Sequence, residues 1–215
     1  LVALAEAVKD EKEIDVDATI SEMKEILEYD AKNGAVEGVK ALELLANEDV
    51  KGELAKIISD GEVYISKALA ERLSIRAEQL VKGYTDYTKQ VVSEVLNSSQ
   101  EMTANEIKKA LAEVLPNSRA ELIARNETNY AIKSGRLEQD EEIAQKYGLN
   151  VKLVWRTSGD SRVCPHCADM EGTEVELGEA FGIADELKTS WNDYGRIPDA
   201  HVNCRCYFDE VIEDE

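Results

Sequence analysis

The stretch that decides the reading is VCPHCADMEG, residues 163–172. Within it, Cys164-Pro165-His166-Cys167 is a cysteine pair with a two-residue spacing, the signature of either a redox-active dithiol or half of a metal site. The wider chain favours the metal. All four cysteines and both histidines lie between residues 164 and 206, as Cys164-x2-Cys167 and then His201-x2-Cys204-x-Cys206. Two compact clusters joined by a long loop form the pattern of a tetrahedral zinc site, each cluster supplying two ligands. Thiolates and an imidazole fill all four positions and leave none open for water, so the expected ion is structural.

Five groups then compete for four positions once His166 is set aside. His166 sits inside the tight Cys164–Cys167 knuckle, where its side chain points most naturally away from the metal, and it is assigned to the surface. In an extended chain Cys204 and Cys206 face one side, so one ligates while the other is buried. The reading favours Cys206 as the ligand and keeps Cys204 as the alternative, giving Cys164, Cys167, His201 and one of that pair.

Other chemistries fit less well. A thioredoxin-like dithiol needs a helix and several strands after the pair, but only 48 residues follow Cys167, and Ala168–Gly172 reads as a turn. Two disulfides suit four cysteines, yet nothing marks an oxidising compartment. A zinc deaminase needs a histidine and a glutamate upstream of its Pro-Cys-x-x-Cys pair. No histidine precedes His166, and Pro165 lies inside the pair.

Outward from the cysteines, the chain changes texture near Gly148. Before it, apolar residues recur at three- and four-residue spacings among strong helix formers. One helix carries Ile20, Met23, Ile26 and Leu27 and is expected to stop at Gly34. Others are expected near 36–46, up to Gly61, and over 63–96, the last as one helix or as two broken at Gly83. Thr103 with Glu106, and Ser118 with Glu121, fit capping boxes. Two further helices are expected to end at Gly135 and Gly148. After Gly148, Val151, Leu153 and Trp155 alternate with polar residues as in a half-buried strand, TEVEL and RCYFDEVIED are further strands, and a short helix is expected near 184–188. The fold class is therefore α+β, a helical N-terminal region (1–115) followed by a small mixed α/β zinc-stapled module (116–215).

Composition bounds the function. A 215-residue chain that is 43% hydrophobic can bury a sizeable core. No run of about 18 apolar residues and no leader segment appears, so a soluble chain without membrane partners is expected; because the first residue is Leu1, a processed start stays open. The net charge of −20 repels polyanions, and strong duplex DNA binding is not expected. The one candidate basic face is Lys108, Lys109, Arg119, Arg125 and Lys133, interleaved with carboxylates.

The runs VWRTSGDSRVCPHCADMEGTEVEL (154–177) and IPDAHVNCRCYFDEVI (197–212) resemble the minor head proteins of tailed phages, the phage Mu F-like head morphogenesis family. LIARNETNYAIKSG, residues 122–135, is similar to the Arg-x-Glu-Thr helix that precedes this module in the family. The resemblance implies a non-enzymatic virion component, in the capsid interior or at the portal vertex, and in the host cytoplasm during assembly. Its implied partners are the portal protein and capsid or scaffold protein, and its role is to assist head assembly or DNA packaging and delivery. Because the module also occurs in bacterial toxins, a toxin or enzyme domain on the same scaffold is the alternative. Asp160 and Arg162 are candidates for orienting the metal loops. Trp155 and Trp191 are expected to be core aromatics, and the apolar stripe of 63–96 is the candidate partner face.

Overall fold

The computed structural model describes residues 15–98, 117–188 and 190–213. The Thr103–Glu106 cap, Lys108, Lys109, and the side chains of Val91, Val92, Val95, Ser118, Arg119, Glu121 and Trp191 lie outside the described residues. Among the described residues four helices come first: α1 (Val16–Leu45), α2 (Glu48–Ser59), α3 (Lys67–Ser98) and α4 (Asn117–Tyr147). They are followed by β1 (Val151–Arg156), the short α5 (Pro165–Met170), β2 (Glu174–Glu176), two 3-10 turns (Asp185–Leu187 and Ser190–Gly195) and β3 (Tyr207–Ile212). The α+β class and all three expected strands are present. Two compact units share the chain. One is formed by residues up to Leu27 together with Glu71–Glu127, the other by Glu28–Ala70 together with Thr128–Glu215.

Two expected helix ends are not ends. Gly34 lies inside the continuous α1, and Gly135 inside the continuous α4. Both are glycines for a tertiary reason, because a Cβ on Gly34 would lie 1.8 Å from the Ile132 carbonyl oxygen and one on Gly135 would lie 1.8 Å from that of Ala31. The backbones of α1 and α4 therefore touch, a closeness that no side chain permits. Gly83 does not break α3 either, and it has open space around it. By contrast, Gly61 and Gly148 adopt φ values of 71° and 66° just past helix ends, the left-handed conformation that stops a helix.

The core of the second unit is built from Ala35, Val39 and Leu42 of α1, Leu54 of α2, Val63, Ile143 of α4 and Val151 of β1. The sheet has the order β2-β1-β3 and is antiparallel throughout. Its register pairs Trp155 with Phe208 and Leu153 with Glu210. These four share the inner face, and all are buried, with the Trp155 ring edge-on to Phe181 at 5.2 Å. The expectation for Trp155 as a core aromatic therefore holds.

Glu210 is a carboxylate on the buried face, and Arg136 of α4 meets it with two guanidinium hydrogen bonds while lying over the Phe208 ring. One turn further along α4, Asp140 is fully buried beside the Glu210 carboxylate, and Gly38 of α1 leaves the space its carboxyl occupies. Burial, and then the neighbouring Glu210 carboxylate, push the Asp140 pKa well above the usual range.

In the first unit Met23, Leu27, Leu73, Ala77 and Val81 are buried. Of the stripe considered as a partner face, Leu69 (in the second unit), Leu73 and Val81 are each 0% exposed, with Ala77 continuing the four-residue spacing, while Ile65 and Leu80 are half-buried. In the first unit Glu127, the acidic residue of the Arg-x-Glu-Thr segment, is buried against the Arg76 guanidinium. Burial raises its pKa and the arginine only partly offsets this. Next to it in sequence but in the other unit, Thr128 donates a 2.9 Å hydrogen bond to Asp30.

Gly34→Ala and Gly135→Ala are each expected to destabilise the chain by about 3 kcal/mol or more, because a methyl group would force the helix backbones apart. Gly83→Ala, on an exposed helical position, is expected to stabilise by about 0.5–1 kcal/mol, and chemical denaturation of the three variants compares the two cases. Asp140 gives a pH dependence of definite sign. Its folded pKa is raised, so its neutral form contributes fully below the unfolded carboxyl pKa and the contribution is lost as pH rises toward the folded value. Asp140→Asn is therefore expected to gain stability over the native chain as pH rises above the unfolded carboxyl range, by at most about 1.4 kcal/mol per pH unit. Parallel stability curves for the two proteins would contradict this.

Candidate metal centre

The first ligand cluster is shaped by its own sequence. Pro165 opens α5 at its first position, where a missing N–H costs nothing, and Cys164 caps the helix by accepting the Cys167 N–H at 3.4 Å. This turns the Cys164 and Cys167 sulfurs toward a common point. Where the expectation was a turn over Ala168–Gly172, a six-residue helix runs to Met170 and Gly172 then reverses the chain at φ 77°. The Glu171 carboxylate anchors that reversal by accepting from the backbone N–H and the hydroxyl of Thr157, at 2.7 and 2.6 Å.

The second cluster approaches from the loop before β3. His201 points Nε2 at both sulfurs, 3.3 Å from Cys164 Sγ and 3.3 Å from Cys167 Sγ. Its other nitrogen, Nδ1, lies 2.9 Å from the Val202 carbonyl oxygen, which makes Nδ1 the proton-bearing atom and leaves the Nε2 lone pair facing the thiols. A second hydrogen bond of this kind fixes the tautomer of a metal-ligating histidine. Cys204 Sγ lies 3.7 Å from Cys167 Sγ and is buried, as is Cys206.

The five donors form two groups of three that share Cys167. One is Cys164, Cys167 and His201, the other Cys167, Cys204 and Cys206, and within each group the ligand atoms lie within 4.8 Å of one another. All four cysteines are free thiols. His166 is exposed and takes no part in either group. Every residue singled out as a ligand is thus brought together, and the donor set is compatible with a structural zinc.

Electrostatics split the thiols into two that ionise readily and two that hold their protons tightly. A hydrogen bond from the Cys206 thiol pulls the Cys204 pKa down to about 4 against the effect of burial, while donating that bond pushes Cys206 far up. Burial and the Cys204 sulfur push Cys167 up to about 12. At Cys164 burial opposes ionisation, but the Cys167 N–H and the His201 imidazole outweigh it and the pKa falls. Like charges this close hold protons between them, and a divalent cation is what removes the conflict.

Two neighbours of the cluster were not evident from sequence. Lys133 of α4, placed above in a candidate basic face, is buried and donates to the Pro198 carbonyl at 3.2 Å; that oxygen lies 3.8 Å from Cys204 Sγ. Arg205, between the last two cysteines, grips Asp160 with both terminal nitrogens, at 2.6 and 2.7 Å. Asp160 also accepts from the backbone and the side chain of Arg162. Arg205 first, and then the Arg162 N–H, hold the Asp160 carboxyl well below the usual carboxylate range.

A small three-stranded sheet backed by a long helix, with two cysteine-rich loops meeting beside it, defines a module closed by a soft-donor centre. The family described as Phage Mu protein F like protein matches residues 48–209, well over half of the chain, and the chain belongs to that family. The match begins at α2, far ahead of the motifs at 122–212 that carry the resemblance in sequence. No curated protein and no solved structure shows significant similarity to the chain. No described helix is long and apolar enough to cross a membrane.

Proposed function

We propose that this chain is a structural minor head protein of a tailed phage that docks on the portal and assists capsid assembly or DNA packaging and delivery. The observation that carries the reading is membership of the Phage Mu protein F like family across residues 48–209. Its place is the capsid interior or the portal vertex, with the portal as principal partner and capsid or scaffold protein as further contacts.

The chemistry of the centre supports a non-catalytic role. One zinc ion would take Cys164, Cys167, His201 and one of Cys206 and Cys204, stapling the loop after β1 to the loop before β3. With five donors for four positions, a water ligand has no place, and water activation is what a catalytic zinc supplies. Structural zinc contributes on the order of 10 kcal/mol or more to such folds. The protein as purified is expected to carry one zinc per chain in native mass spectrometry. Cys164→Ser is expected to lower that occupancy and to open residues after 155 to protease, and a zinc-free chain with an intact, protease-resistant module would refute the assignment.

The portal is tested with the full chain, because α1 and α4 meet at Gly34 and Gly135 and a cut near residue 115 would separate them. Co-expressed with the portal protein of the same phage, the chain is expected to co-purify with the assembled ring, and a ring that elutes without it would overturn the proposal. Free duplex is expected not to bind at physiological salt, since Lys133 is buried and the net charge is −20. A gel shift at sub-micromolar protein would contradict that.

A further inference from the structure

We propose that the Asp160–Arg205 ion pair is the positioning device of the metal centre, aiming the Cys204 and Cys206 thiols at Cys167 and controlling how fast the metal escapes. The inference rests on the zinc reading above and goes beyond it, because neither residue is a ligand.

Arg205 is the middle residue of Cys204-Arg205-Cys206, and the two cysteines are buried at 1% and 4% exposure while the arginine side chain keeps 27%. The arginine therefore leaves the segment on the side opposite to the thiols. A segment of three residues has one soft motion that would misdirect both sulfurs together, rotation about its own axis. Fixing the outward side chain at two points stops that rotation. Arg205 Nη1 to Asp160 Oδ2 at 2.6 Å and Nη2 to Asp160 Oδ1 at 2.7 Å provide two points, in the planar geometry that only a guanidinium and a carboxylate share.

The anchor itself is held. The Asp160 oxygens also accept the Arg162 N–H at 2.9 Å and its guanidinium at 3.1 Å, and the Asp160 carbonyl accepts the Val163 N–H at 3.1 Å. This turn leads directly into Cys164, whose sulfur caps α5. One carboxylate thus joins the loop that carries Cys164 and Cys167 to the loop that carries His201, Cys204 and Cys206. The pair is partly exposed, so its contribution to overall stability is small; its effect lies in geometry, where a ligand must sit within a few tenths of an ångström.

The test measures zinc transfer from the loaded, full-length chain to a chromophoric chelator, with the helical circular dichroism signal as a control on folding. Asp160→Asn keeps the shape and removes the charge, and Arg205→Lys keeps the charge and removes the fork. Each is expected to speed zinc loss by about 10- to 100-fold with unchanged helicity, the range seen when outer partners of metal ligands are removed. The exchanged double variant Asp160→Arg/Arg205→Asp is expected to recover much of the slow release. Glu127→Gln, which loosens the other unit, serves as the comparison and is expected to release zinc at the native rate. Native release rates in both single variants would overturn the proposal and leave the zinc reading standing, as would equal acceleration by Glu127→Gln. A native chain that holds no zinc at all would defeat both.

Discussion

Two helix backbones in van der Waals contact are the constraint on which the second unit depends. Glycine at 34 and at 135 lets α1 and α4 meet carbonyl to Cα, and that contact fixes α4 as the beam of the unit. From it Lys133 reaches the Pro198 carbonyl beside Cys204, Arg136 reaches Glu210 on β3, and Glu141 receives Arg196 from the loop after β2. The two cysteine-bearing loops have little regular structure of their own. Their carbonyls and side chains are placed against a helix whose position was set by the absence of two methyl groups.

The polar groups inside each unit serve orientation more than stability. Arg136–Glu210 and Arg76–Glu127 are buried pairs, and removing two charges from water costs about as much as their attraction returns. What they add is selectivity among packings. Were β3 to slip by one residue against β1, Glu210 would turn to the solvent face and Arg136 would be left buried without its carboxylate, a penalty that an all-apolar face would not impose.

The cluster of soft donors and the sheet were legible in the sequence because their signals are local. Alternation at Val151, Leu153 and Trp155 has the strand period, and two clusters of soft donors have few readings other than a metal. The helical part was legible as helix but not as packing. Gly34 and Gly135 carry the same letter as Gly61 and Gly148, and only the partner helix distinguishes a close crossing from a stop. Arg205 was hidden for a related reason: Asp160 and Arg162 stand side by side in sequence and invite pairing, whereas the stronger partner of Asp160 is 45 residues away. The apolar stripe of α3 gave its spacing correctly, with Leu69, Leu73 and Val81 buried, but periodicity shows that a face is to be covered and not which chain covers it.

The division of the chain between the units has a consequence for the order in which the protein can be made. Residues 28–70 belong with residues 128–215, and the hydrogen bond from Thr128 to Asp30 closes a separation of 98 positions. An emerging chain therefore exposes the apolar side of α1, with Ala35, Val39 and Leu42, long before α4 has left the ribosome. Among the buried residues of that cluster, Leu54 of α2 and Val63 are the ones made early enough to cover it in the interval. Contacts of high sequence separation carry a loop-closure cost that is met only late and slow the approach to the native state. A strongly acidic chain is suited to that wait: with 45 acidic residues against 25 basic ones, unfinished copies repel one another while their apolar faces are still open.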